Sequence, residues 1–257
     1  MKHLLTHELY RLKTNKLMYT VLASVIVVGA FWAEIVIAFA HEDFTPSGSN
    51  SLRLVAHMSR AIFVIMAIAI SSLAVKDYQK GVIRNIVISG HSRIKIYLSK
   101  YIVALLVTFI IFTLTVIICL MATMRTHGWG NGNVGIFILM YLQMFLQYAA
   151  VTAIMLFIAD LIRNSTGAIG ANIALMLILI FISSIVFVKT GADGETINTT
   201  NGFIDFIGNM YAGTLAGRVA IRGLSIWKIL QYLGTAIATI AVTLLGGVYL
   251  FNKRDLK

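Results

Sequence analysis

Acids are scarce in the apolar runs of this chain, and Glu34, within residues 17–40, is the one that lies well inside. Arg60 stands near the start of the next run, which returns from the same side, so the two side chains fall at matching depth. An ionised group in hydrocarbon costs several kcal/mol unless it is paired. Glu34 and Arg60 therefore either form an ion pair locking adjacent helices or line a charged conduit wall suited to cationic or zwitterionic molecules. Gln143 and Gln147, at i and i+4, share one helix face. Amides so placed hydrogen-bond to neighbouring helices, and Asn172 and Gln231 are read the same way. Intramembrane catalysis needs paired groups such as two Asp, a Ser with a His, or HExxH, and one embedded acid does not supply them. His41, Glu42 and Asp43 are adjacent on a loop and do not converge on a metal, so neither a metal site nor enzymatic activity is expected. Cys119 is alone, which leaves no disulfide framework or CxxC motif. There is no GxxxxGK[ST] phosphate cradle, so this chain is expected to bind no cofactor of its own. GAIGAN at residues 167–172 lacks the strand and acidic partner of a dinucleotide site and reads as small-residue helix packing.

The elements that must hold these groups follow from composition. The 257 residues are 59% hydrophobic and 12% charged, with mean hydropathy +0.88, and several runs exceed the roughly 20 residues that span a bilayer. An all-α polytopic membrane protein is predicted, one transmembrane domain with six spans at about residues 17–40, 57–75, 101–124, 134–159, 167–188 and 226–250. No soluble domain and no repeat is legible. Residues 1–16 carry scattered charge, with Met1, Leu5, Leu9 and Leu12 in a stripe opposite His7, Arg11 and Asn15. This is an interfacial helix rather than a cleavable signal. A second interfacial helix is predicted before the last span, where Phe203, Ile204, Ile207, Met210, Tyr211 and Leu215 hold one face.

The net charge of +11 is concentrated on one side of this layout. Residues 76–100 alone hold Lys76, Lys80, Arg84, Arg93, Lys95 and Lys100 against Asp77, which marks that segment as cytoplasmic and places both termini inside a cell membrane. Anionic lipid and a cytoplasmic protein are its expected counterparts, not nucleic acid. Within the segment Val82, Ile83, Ile86 and Val87 share one face of a two-turn helix with Arg84 and Asn85 on the other. Gly90 can end that helix in a left-handed cap, and Ser92 can cap the next one. Such a helix serves either to bind headgroups or to dock a partner.

The order acid, three residues, Gly, two apolar residues, basic, Asn (Asp77, Gly81, Val82, Ile83, Arg84, Asn85), followed by Gly90, Ser92, Arg93 and Lys100, resembles the first cytoplasmic loop of type-2 ATP-binding-cassette (ABC) exporter permeases. Asp77 stands where Glu is usual, and Val82 where Thr is frequent. Phe251, Asn252, Lys253, Arg254 and Asp255 are similar to that family's terminal Phe, basic pair and Asp. The resemblance implies that Asp77, Gly81, Val82, Ile83, Arg84, Ile86 and Val87 form an ATPase-coupling segment. It further implies two copies of an ABC ATPase that bind ATP and Mg, and a second permease chain, identical or related. By analogy with compact permeases of that family, the cargo would be amphipathic or antimicrobial peptides or hydrophobic drugs. The alternative is a non-transporting sensor or immunity protein that binds a peptide on the outer surface through residues 189–225.

Overall fold

The computed structural model describes residues 2–38, 51–79, 82–90, 92–130, 133–189 and 226–253. Among them every regular element is an α-helix. The second interfacial helix expected at 203–215 lies outside the described residues.

The N-terminal helix α1 (Lys2–Thr14) gives way to α2 (Lys16–Ala38) at Asn15, whose side chain accepts from the Leu17 amide at 3.3 Å. The expected stripe on α1 divides in the structure. Leu12 packs on the core, whereas Leu9 stays exposed, as a helix lying at an interface leaves part of its apolar face for lipid.

Helix α3 (Ser51–Gln79) leads to the short α4 (Val82–Ile88), and α4 ends at Gly90, which takes φ +87°. A residue without Cβ adopts that left-handed conformation at no steric cost, as its position after the helix suggested. Helix α5 (Arg93–His127) starts at the anticipated Ser92, but its hydroxyl makes no capping bond; only the Ser92 carbonyl serves, accepting from Ile96. The Asn133 side chain caps α6 (Val134–Ile162) by accepting from Gly135 at 2.7 Å. Helices α7 (Ser165–Lys189) and α8 (Ile226–Lys253) complete the described chain.

Length and apolar content divide these helices. Four have long enough apolar stretches to cross a membrane, at Lys16–Ile35, Arg93–Thr126, Val134–Ile162 and Tyr232–Lys253, while Ala61–Lys76 and Ser165–Leu179 are shorter apolar stretches. At about 1.5 Å per residue α5 is roughly 52 Å long, well beyond a hydrocarbon core of about 30 Å, so its first turns belong to one end of the bundle rather than to a loop.

Helix α3 is the hub and packs against α2, α5, α6 and α7, while α8 lies on α6 and α5. Its Leu54, Met58, Ile62, Phe63, Met66 and Ile70 are fully buried. Small and polar residues let the helices approach. Asn172 of α7 donates to Ser71 Oγ at 2.8 Å and to the Met155 carbonyl at 3.0 Å, tying α7 to α3 and α6. Ala168 is buried, but Gly170 is not a packing residue: a methyl there would meet nothing within 4 Å. The small-residue reading of residues 167–172 therefore holds for Ala168 and fails for Gly170.

Candidate functional site

One end of the bundle gathers α1, α4, the last turns of α3, α6 and α8 and the first turns of α5. Helix α4 is fastened there by its apolar face. Ile83 is 2% exposed, and Ile86 and Val87 are half-buried against the same core. The face predicted to be apolar thus holds α4 on its own chain, and what α4 offers outward includes Ile88, which is 73% exposed. The sequence reading passed over Ile88 because it breaks the spacing of the other four. Val82 begins the helix and Asp77 lies in the last turn of α3, on either side of residues 80 and 81. The side chains of Asp77 and Arg84, and Gly81 itself, lie outside the described residues. Lys76 donates to Asn15 Oδ1 at 3.2 Å, linking this end of α3 to the junction between α1 and α2.

Behind α4 lies a polar cluster that the sequence reading missed. Lys100 of α5 is buried. Its Nζ donates to the Ala74 carbonyl at 3.1 Å, stands 4.2 Å from the centroid of the Tyr78 ring, and lies 3.8 Å from Asp160 Oδ1 of α6. At that distance Lys100 and Asp160 share no hydrogen bond, so the attraction between the two is one of charge. Arg163 adds a second cation 4.8 Å from the Tyr78 ring, placed there by a left-handed φ of +55° that a non-glycine residue rarely takes. Burial, reinforced by the Asp160 charge, pushes the Tyr78 hydroxyl well above its ordinary range, so the ring stays neutral between its cations. Phe251 of α8 packs edge-on to Tyr78, with ring centroids 6.3 Å apart, and its carbonyl accepts from Arg93 at 3.3 Å. The Asn252 carbonyl takes a second bond from Arg93 at 2.9 Å. The signal in the sequence was the spacing of Arg93, Tyr97 and Lys100, which puts all three on one face of α5.

The embedded polar groups have separate fates. Glu34 is gripped by Arg125, whose guanidinium nitrogen lies 2.6 and 2.7 Å from the two carboxylate oxygens. Arg125 falls one residue beyond the third predicted span, and the structure places it in the last turns of α5. The side chain of Arg60 lies outside the described residues. Gln147 donates to the Tyr232 carbonyl of α8 at 3.0 Å, the inter-helix role expected of it. Gln143 is equally buried, yet neither of its amide atoms has a partner. Among the described residues no group of three His, Cys, Asp or Glu could hold a metal ion.

These features define a multi-helix membrane protein with a polar, tightly tied end and a short helix fastened upon it. The pattern of the family described as ABC-2 family transporter protein matches residues 4–183, most of the chain, and the chain belongs to that family. Its members are membrane transport components that associate with an ABC ATPase. No curated protein matches the chain.

Proposed function

We propose that this chain is the permease subunit of an ATP-driven exporter, with six spans, both termini in the cytoplasm and the α4 end facing inward. Two such chains pair and dock two ATPase subunits beneath them, and ATP is hydrolysed on those partners. The observation that carries this reading is α4: a short helix fastened through Ile83 to the bundle, within the most basic segment of the chain, with Ile88 turned outward. A push on α4 then bears on the helices behind it instead of bending a loop. The cargo class, amphipathic or antimicrobial peptides or hydrophobic drugs, rests on the compactness of the chain and on analogy.

The test is coexpression with ATPases encoded beside this chain, extraction in mild detergent, and measurement of ATP turnover against a panel of amphipathic peptides. A stable complex stimulated by a peptide supports the exporter. Purification without any ATPase but with bound peptide overturns it in favour of the sensor or immunity reading. Ile88→Asp is the sharper docking probe, because Ile83→Asp would place a carboxylate in the core. Ile88→Asp is expected to weaken ATPase capture at least tenfold, about 1.4 kcal/mol, with the melting temperature unchanged. Undiminished capture removes α4 from the interface.

A further inference from the structure

Tyr78 lies in the last turn of α3, a few residues before Val82 begins α4, and Lys100 holds it from α5. The same ammonium group reaches the Ala74 carbonyl on α3 and the Asp160 carboxylate on α6. Its side chain is 4% exposed and that of Asp160 9%. Arg163, at the turn where α6 meets α7, stands over the Tyr78 ring as well. Beside Asp160 and Arg163 lies a cavity of about 10 Å³, also lined by Gly247 and Phe251, so little empty space separates the groups. On the other side, Glu8 and Leu12 of α1 share a cavity of about 20 Å³ with Lys100. One buried cation thus touches or borders α1, α3 and α6 from its seat on α5.

We infer that Lys100 is a positioning residue that locks the last turn of α3, and with it α4, to the end of α6, so that a displacement of α4 is carried into α6 as one rigid motion. Apolar contacts allow helices to slide at small cost, whereas a buried charge that leaves its carboxylate strands both partners. The contact therefore has two states, held or broken, and a short stroke is transmitted rather than absorbed. This deepens the coupling role proposed for α4 and rests on it, but the lock itself is a property of the permease alone and is tested without an ATPase.

The experiment is pulsed electron–electron resonance on the full chain in lipid nanodiscs, with Cys119→Ala removing the buried native thiol. Spin labels at Ile88→Cys and Thr166→Cys report α4 against the start of α7. A control pair at Lys95→Cys and Lys253→Cys reports α5 against α8. The test variant combines Lys100→Met with Asp160→Leu, which removes both charges of the pair together. The α4 distance distribution is expected to broaden by at least about twofold while the control pair keeps its width, the mark of a local unlocking. Tyr78→Leu, which keeps an apolar side chain and removes the cation-binding ring, should do the same. An unchanged α4 distribution in both variants overturns the inference, because packing alone would then hold the end together. Equal broadening of both pairs also overturns it, since the cluster would be serving general stability. Failure of ATPase capture with the lock intact would count against the coupling reading alone.

Discussion

Two ion pairs among the described residues invert the usual link between good geometry and importance. Glu34 and Arg125 are in close, two-oxygen contact at 2.6 and 2.7 Å, yet their side chains are 52% and 66% exposed. Lys100 and Asp160 are 3.8 Å apart with no hydrogen bond between them, but they are 4% and 9% exposed. Glu34 and Arg125 stand one residue from the ends of the apolar stretches Lys16–Ile35 and Arg93–Thr126, rather than deep in a span. At such an end screening and the cost of ordering long side chains reduce an open pair to below about 1 kcal/mol. A buried pair adds little net stability over apolar packing, but losing one member leaves the other charge stranded. The open pair therefore fastens and the buried pair obliges.

That contrast can be broken at its strong end first. Lys100→Met alone should destabilise the detergent-solubilised chain by about 3–5 kcal/mol, read as a fall in thermal or denaturant midpoint, because Asp160 remains buried without its cation. Adding Asp160→Leu should recover most of that loss; additive losses would mean that the two groups are not a pair. Next comes Gly247→Ala. A Cβ there would collide with the Tyr97 ring and hydroxyl, so Tyr97 must move and loosen its contact with Phe251, at a cost of about 1–3 kcal/mol. Unaltered stability would show that this end of α8 is more yielding than the buried pair requires. Gln147→Leu should cost about 1 kcal/mol through the lost bond to the Tyr232 carbonyl, measured in the same assay. Smallest of all, Glu34→Gln and Arg125→Gln should each cost less than about 1 kcal/mol, and a double-mutant cycle should give a coupling that shrinks with added salt. A salt-insensitive coupling of several kcal/mol would make the open pair as obligatory as the buried one.

Much of this layout was legible in the sequence, because apolar runs, charge bias and helix punctuation are local signals. The basic segment, the start of α5 after Ser92 and the face of α4 all follow from spacing within a few residues. The partnership of Lys100 with Asp160 does not. Lys100 reads as one more cation of the basic segment and Asp160 falls just past the fourth predicted span, and nothing near either residue tells that α5 and α6 bring them together. Glu34 shows the same limit: depth matching pointed to Arg60, whereas the partner the structure shows is Arg125, one residue beyond the expected end of the third span and still within α5. Ile88 was missed for a different reason, because amphipathic pattern finds the face that is buried and is silent about the apolar residue left outside it.

The notch at Gly247 has a consequence for biosynthesis. Tyr78 and Tyr97, which flank the Phe251 ring, belong to helices translated long before α8, as do Lys100 and Asp160. Until α8 leaves the ribosome and seats Phe251 there, the polar cluster has an open side. The last described helix is thus a closing wedge, the element whose arrival covers the charged groove.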